Sequence, residues 1–165
     1  MQMLTVRPAA LSDLARLLEI YETARAFMRK TGNPTQWADG SPHEHVLLAD
    51  IQKGQLYAVC SGDTVVGGFA LIEGDDPTYA RIENGAWPNS LPYATLHRVG
   101  SDGSCRGVFA AAVRFAERRH SELRVDTHAD NKVMQRAIAK QGFCYCGIIY
   151  VADGTPRLAY HKSVR

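Results

Sequence analysis

The sequence predicts an α/β fold in which a mixed, mostly antiparallel central sheet carries helices on both faces. Runs of β-branched and aromatic residues and helical patterns follow one another in the order β-α-α-β-β-β-α-β-α-β-β. Strands that alternate with helices late in the chain favour a parallel pair, whereas consecutive strands earlier and at the end favour hairpins. With 165 residues, we expect a single domain over 1–165 with a sizeable core.

The first third of the chain predicts one strand and two helices. Residues 4–7 read as a first strand, which a proline stops. Ser12 and Asp13 offer an N-cap to a helix that ends near residue 30, because apolar residues recur at helical spacing after them. A second helix is expected over residues 41–51, opened by a Ser-Pro pair and followed by a glycine.

The next stretch predicts a hairpin and then a long connection. Residues 55–60 and 64–72 read as two strands joined by a Ser-Gly-Asp turn. Residues 75–92 form a polar and aromatic segment with a short strand around 79–82. This segment is either a surface loop or a wall of a binding pocket, since loops on a rigid sheet carry specificity. Two tryptophans, Trp37 and Trp87, are candidates either for such a pocket or for ordinary core and rim positions.

A strand, a glycine-rich turn and a helix follow one another from Tyr93 to Glu117. Residues 93–99 have strand character, residues 100–104 have turn chemistry, and an alanine-rich helical pattern begins at Arg106. The start of a helix carries backbone N–H groups without partners and is partly positive, which suits a phosphate. Gly107 has no Cβ, so a ligand can approach its backbone.

The last third predicts a strand over residues 122–126, a helix over residues 131–141 and a closing hairpin. Asp130 is a plausible N-cap for that helix. The hairpin strands are expected at residues 143–151 and 157–162, around an Asp-Gly turn.

Together these stretches resemble the GNAT superfamily of acetyl-CoA-dependent N-acetyltransferases. In that family a strand leads into a pyrophosphate loop of pattern [QR]-x-x-G-x-[GA], and a later helix opens with Asn and closes with Gly-Phe. Gly107 to Phe109 fall at the G-x-[GA] end of the first pattern, which is matched only in part, and Asn131 and Gly142-Phe143 match the second. Ser104 stands where the family usually has Gln or Arg, and Phe109 stands where it has Gly or Ala.

The resemblance implies a GNAT-like fold whose cofactor enters a gap between two splayed strands. It implies that the backbone from His97 to Val99 pairs with the pantetheine amides of acetyl-CoA, the co-substrate. It also implies a pyrophosphate loop and contacts to the pantetheine arm. The loop residues are Ser104, Cys105, Arg106, Gly107, Val108 and Phe109, and the arm contacts are Asn131 and Met134.

Transfer of an acetyl group to an amine needs a base for the amine proton and favours an acid for the departing thiolate. His97, His128 and Glu83 are the candidate bases, and a hydrogen-bonded structural role is an alternative for each histidine, as simple solvation is for Glu83. The family often supplies the acid from a Tyr whose position here is Ile138. Tyr145 or Tyr150 are possible substitutes.

Composition limits the other functions. A formal net charge of +2 gives no reason to expect nucleic acid or a membrane surface as partner, and no apolar run reaches the roughly 20 residues of a membrane span. The four cysteines have no disulfide or metal spacing, which favours a reducing cytoplasm and no metal. The N-terminal segment lacks the pattern of a signal peptide.

The sequence therefore predicts a cytoplasmic N-acetyltransferase that acts on a primary amine not identified by the sequence. The alternative is a catalytically degenerate GNAT-like protein that binds CoA or a partner without transferring acetyl, which Ile138 and Phe109 would explain. A nucleotide-binding domain of another class is disfavoured because no Walker or Rossmann spacing occurs. The resemblance leaves a homodimer open.

Overall fold

A computed structural model describes residues 3–164, and it contains a seven-stranded sheet in the order β1-β2-β3-β4-β5-β7-β6. Only the β4–β5 pair is parallel among the strand pairs of this described part. The strands are β1 Leu4–Pro8, β2 Leu56–Ser61, β3 Thr64–Glu73, β4 Ala94–Ser101, β5 Glu122–Thr127, β6 Cys144–Tyr150 and β7 Pro156–Ser163. The helices are α1 Leu14–Lys30, α2 Glu44–Gln52, α3 Val108–Glu117 and α4 Lys132–Lys140.

The predicted element order and the mixed, mostly antiparallel sheet are confirmed, but three local predictions were wrong. The Ser41-Pro42 pair does not open α2, which begins at Glu44 with His43 as its N-cap. Residues 79–82 do not form a strand: a 3-10 turn covers Pro77–Tyr79 because the Asp76 side chain caps it by accepting the Thr78 N–H at 2.8 Å. Asp130 does not cap α4. Asn131 does, since its side-chain oxygen accepts the Met134 N–H at 3.0 Å.

The sheet has a separate apolar core on each face. On one face, α1 and α2 bury Leu17, Ile20 and Leu47 against alternate residues of β2 and β3. On the other face, α3 and α4 pack against the remaining strand residues. This second core includes Phe109, Ala112, Leu123, Val125, Ile138 and Phe143. Helices on both faces were expected, and both faces of the central strands are therefore buried.

Strands β4 and β5 pair only at their starts, through Ala94 with Leu123 and Thr95 with Arg124. Beyond these pairs the strands are not paired with each other, so the backbone of residues 97–99 has no β5 neighbour within the sheet. A gap therefore opens between the two strands toward their carboxyl ends, and in an α/β sheet such a gap is where ligands bind.

A bulge in β4 accompanies this gap. Ala70 pairs with His97 and Gly68 pairs with Gly100, so β4 carries one residue more than β3 across this span. Arg98 sits at the bulge with a φ of +52°, in the left-handed region. Its carbonyl accepts the Tyr21 hydroxyl at 2.6 Å, and its guanidinium forms two hydrogen bonds to the buried Asp50 of α2, at 2.8 and 3.0 Å.

Among residues 3–164, no helix has the length and apolar character needed to cross a membrane.

Candidate functional site

A cleft of about 740 Å³ opens where β4 and β5 separate. Its walls come from the α1–α2 connection, the start of α2, the ends of β3, β4 and β5, the first turn of α4 and the β6–β7 turn. The cleft thus combines the sheet gap with loops from both halves of the chain. Its polar wall residues include Asp39, Asp76, His97, Arg98, Asp126 and Arg157.

His97 is the predicted base that the structure places in the cleft wall. It shares the face of its strand partner Ala70, which packs in the α1-side core, so its side chain lies on the α1 and α2 side of the sheet. Its Nε2 lies 2.8 Å from the Asp76 carboxylate. The imidazole is 22% exposed, so a molecule in the cleft can reach it.

Asp76 is held as a carboxylate beneath this imidazole. Burial alone would raise its pKa, but hydrogen bonds from His97 and from the Thr78 hydroxyl and amide outweigh burial and lower the pKa to about 2. The anionic Asp76 carboxylate accepts a hydrogen bond from Nε2 of His97. The proton of the neutral ring is therefore on Nε2, and the lone pair is on Nδ1. The pair therefore has the arrangement of an oriented general base.

A second carboxyl, Asp126, lies in the wall of the cleft at the end of β5. The hydroxyl of the buried Tyr79 donates to it at 2.5 Å. Burial raises the pKa of Asp126, although the charge of His97 and the Tyr79 hydrogen bond act in the opposite direction. Burial, followed by the nearby Asp126, raises the pKa of Tyr79 well above its ordinary value.

His128 uses both ring nitrogens inside the protein. Its Nδ1 accepts the Asp130 N–H at 2.9 Å, which assigns the ring proton to Nε2, and Nε2 lies 3.0 Å from the Thr35 hydroxyl. The ring therefore links the β5–α4 turn to the α1–α2 connection. These contacts fit the structural role that is the alternative for His128, and they do not favour His128 as a base.

Glu83 lies outside the cleft wall. Its carboxylate accepts the Tyr150 hydroxyl at 2.9 Å and pairs with Arg81, and these hydrogen bonds lower its pKa, the Tyr150 bond most. A solvent-facing carboxylate with a lowered pKa is a weak base. Glu83 also does not line the cleft at the sheet gap. The same contact occupies the Tyr150 hydroxyl.

Of the two tryptophans, Trp37 lines the cleft, while Trp87 donates its indole N–H to the Tyr79 carbonyl and lies outside the cleft.

The glycine-rich loop leads into α3 as expected. Asp102 organises it by accepting the amide and the hydroxyl of Ser104, at 2.9 and 2.6 Å, and by pairing with Arg16 at 2.6 Å. The polar groups of Ser104 are therefore already in use. Farther along the loop, residues 107–110 precede the first helical hydrogen bond, from Ala111 N–H to the Gly107 carbonyl at 2.9 Å. Their amides are the donors that a helix start leaves for an anion.

Phe109 does not obstruct this loop. Its ring is buried in the α3-side core, with its centroid 6.3 Å from that of Phe143. Gly107 has a φ of +91°, and apart from its own chain neighbours no described residue lies within 4 Å of the place a Cβ would occupy. The backbone at Gly107 is therefore open to an approaching group, as a phosphate site requires. Ile138 is fully buried in the same core as Phe109, so α4 presents no tyrosine at that position.

The inner cleft also fits an extended arm that carries amide groups. Among the described residues, the buried hydroxyl of Thr127 in the cleft wall has no hydrogen-bond partner. The β4 backbone at residues 97–99, which is not paired with β5, lies across the gap from it. Met134 lines the cleft, but the Asn131 amide is engaged with Met134 N–H and with Gln36, 3.1 Å away.

Sequence reasoning missed Asp76, Asp126 and Thr127. Asp76 had one local signal, the Asp-x-Thr spacing of a side-chain-capped turn. Asp126 and Thr127 had only their place at the end of a strand. Their roles depend on contacts with residues as far as 47 positions away in sequence, such as Tyr79 with Asp126.

Comparison with solved structures confirms the resemblance to GNAT-family acetyltransferases. One from Streptococcus agalactiae is 29% identical, with a TM-score of 0.91 over 98% of this chain and 96% of that chain. Another from Listeria monocytogenes is 17% identical, with a TM-score of 0.71 over 98% and 95% of the two chains. Ard1 from Thermoplasma volcanium is 16% identical, with a TM-score of 0.67 over 98% of each chain.

The last two similarities concern the fold alone, whereas the first extends to sequence. No family model and no curated protein matches the chain.

Proposed function

We propose that this chain, which has the GNAT acetyltransferase fold, transfers an acetyl group from acetyl-CoA to a primary amine by direct attack on the thioester. The observation that carries the proposal is the His97–Asp76 pair, which lies in the cleft wall at the place where β4 leaves β5. An oriented base beside an open sheet gap is what this reaction needs.

The acceptor amine must lose a proton as its nitrogen bonds to the acetyl carbon. The Nδ1 of His97 receives that proton, and the Asp76 carboxylate holds the ring and stabilises the imidazolium that forms. A positioned general base of this kind contributes roughly 10²- to 10⁴-fold to a rate. His97 is the base we retain, because His128 is bonded within the protein and Glu83 is outside the cleft.

The acetyl-CoA side of the cleft uses backbone more than side chains. The β4 backbone beyond Thr95 has no β5 partner, so its groups that face the gap suit the pantetheine amides, and Thr127 offers a further hydroxyl. The amides of residues 107–110 suit the pyrophosphate, with Gly107 allowing close approach. The Phe109 ring is buried in the core and the Ser104 side chain is bonded to Asp102, so the loop binds the pyrophosphate through its backbone.

The acceptor side of the cleft is formed by loops. Trp37, Asp39 and His43 come from one wall, and Asp153 comes from the β6–β7 turn. We propose that the one domain over residues 1–165 carries the whole activity, and that it works in a reducing cytoplasm. The four cysteines, which form no disulfide among the described residues, support the second point.

The competing proposal is CoA binding without transfer, and the burial of Ile138 is the observation that favours it. A screen of primary amines with acetyl-CoA, read by thiol release and by the mass of the product, separates the two. We expect transfer by the wild type and a fall of about 10²- to 10⁴-fold in His97→Gln.

His120→Gln is the matched control, because His120 pairs with Glu73 outside the cleft wall and its loss should leave the rate unchanged. Full activity in His97→Gln would refute the assignment of the base. Tight acetyl-CoA binding with no transfer to any amine would support the competing proposal.

A further inference from the structure

We propose that Asp126 supplies the proton taken up by the departing thiolate, so that transfer uses a base on β4 and an acid on β5. This inference rests on the proposed acetyltransferase function and assigns a further catalytic residue to it.

The position of Asp126 follows from the strand register. Thr95 pairs with Arg124 at the last contact of β4 with β5, so His97 and Asp126 each lie two residues beyond it. Because side chains alternate along a strand, these two residues extend to the same face of the sheet, on opposite sides of the gap. Both line the cleft. A group that reacts in the gap therefore lies between the side chains of His97 and Asp126.

The surroundings of Asp126 favour its neutral acid form. The residue is half-buried in the cleft wall, and burial raises the pKa of its carboxyl, with the neighbouring Asp76 adding to the rise. His97 from β4, Tyr79 from the 3-10 turn and Arg157 from β7 act to lower it. Tyr79 donates its own proton to one carboxyl oxygen, so the other oxygen is the one that can hold and release a proton.

Neither α4 nor the two tyrosines considered from the sequence offers an equivalent acid in the described chain. The α4 side presents Met134 to the cleft, while Ile138 is buried in the core. Tyr150 donates its hydroxyl to Glu83 outside the cleft, and Tyr145 stacks edge-on against Tyr160. Asp126 is thus the carboxyl in the cleft wall whose environment opposes ionisation, whereas Asp76 is the one whose environment enforces it.

The step balances in protons and electron pairs. The amine nitrogen bonds to the acetyl carbon and gives a proton to His97 Nδ1, and the carbon–sulfur bond breaks with its electron pair on sulfur. Sulfur takes the proton of Asp126, which becomes a carboxylate that Tyr79 still hydrogen-bonds. A proton then passes from the imidazolium of His97 to Asp126 through water in the cleft. The net result moves the amine proton to the thiol.

One test does not depend on transfer. An infrared difference spectrum at pH 7 between the wild type and Asp126→Asn should show a protonated-carboxyl C=O band in the wild type alone. Asp75→Asn, which changes an exposed carboxyl next to Asp76, should leave that band in place. If the band lost on substitution is that of a carboxylate, Asp126 is not an acid at working pH and the proposal is overturned.

The kinetic test follows kcat against pH with acetyl-CoA and an accepted amine. The wild type should show a bell-shaped profile, and Asp126→Asn should lose its alkaline limb and fall about 10- to 100-fold, while acetyl-CoA affinity stays within about threefold. Tyr79→Phe removes a hydrogen bond that lowers the pKa of Asp126, so its alkaline limb should move to higher pH.

Two results separate the proposals. A wild type that transfers acetyl while Asp126→Asn keeps an unchanged bell leaves the acetyltransferase function standing and removes Asp126 as the acid. A wild type that acetylates no amine removes both, whatever the infrared spectrum shows.

Discussion

Two aspartates in one cleft have opposite environments. Asp76 accepts hydrogen bonds from His97 and from the amide and hydroxyl of Thr78, and these hold it ionised despite burial. Asp126 has Tyr79 as its side-chain hydrogen-bond donor, and burial raises its pKa. When neighbouring carboxyl groups have pKa values shifted in opposite directions, one site can hold a base and an acid at the same pH.

Asp76 should also stabilise the fold in a pH-dependent way. Its pKa is about 2 in the folded protein and about 3.9 in an unfolded chain, so its contribution is complete above about pH 5. That contribution is lost as pH falls through 4 toward 2. We expect the difference in unfolding free energy between the wild type and Asp76→Asn to shrink as the pH falls below 4.

Urea unfolding at a series of pH values measures this difference. Asp75→Asn is the control, since Asp75 is exposed and its variant should follow the wild type at every pH. A difference that stays constant down to pH 3 would contradict the account. Asp76→Asn should also place an amide N–H against His97 Nε2, which moves the ring proton to Nδ1 and removes the base.

At the scale of elements, the β4 bulge is tied to α2. Asp50 receives two hydrogen bonds from the Arg98 guanidinium and one from Gln55, and Tyr21 of α1 holds the Arg98 carbonyl. The left-handed backbone at Arg98 costs about 1–3 kcal/mol and persists where the surroundings enforce it. These contacts therefore connect α1 and α2 to the backbone that faces the gap.

Breaking this connection should destabilise the protein. Asp50 is 3% exposed, and Asp50→Asn leaves the Arg98 charge partly buried with a neutral partner, so we expect a loss of about 2–4 kcal/mol in urea unfolding. Glu19→Gln removes an exposed ion pair with Arg16 and should cost less than about 1 kcal/mol. Equal stability of the two variants would show that the Arg98–Asp50 contact does not hold the bulge.

The sequence predicted these elements better than it predicted their caps and turns. The strands and helices followed from local patterns, and their order was confirmed. The segment around Tyr79 looked like a strand because it has a β-forming composition. In the structure, Asp76 caps a 3-10 turn there, and only Glu83 forms an isolated bridge, with Ile148. A side-chain cap outweighed residue propensity there. At the start of α4, the cap lies one residue later than predicted.

At the scale of the whole molecule, the site depends on pairings between distant parts of the chain. Local patterns could not show that β7 inserts between β5 and β6, nor that β4 leaves β5 after Thr95. His97 was predicted from its strand, but its partner Asp76 lies 21 residues earlier, in a segment that looked like a loop. The burial of Phe109 likewise required the packing of α3 on the sheet.

The central claim is that the gap between β4 and β5 and the loop before α3 bind acetyl-CoA. Titration calorimetry of acetyl-CoA into the wild type, Gly107→Trp and Gly54→Trp tests it most directly. Gly107 and Gly54 both have positive φ and open space where a Cβ would lie, but Gly54 is outside the loop and the cleft wall. Strain from the substitution is therefore similar in the two variants.

We predict saturable binding by the wild type and by Gly54→Trp, and a loss of more than about tenfold in affinity, equivalent to 1.4 kcal/mol or more, in Gly107→Trp. No binding by the wild type at millimolar acetyl-CoA, or equal binding by all three proteins, would contradict the placement of the cofactor and with it the proposed function.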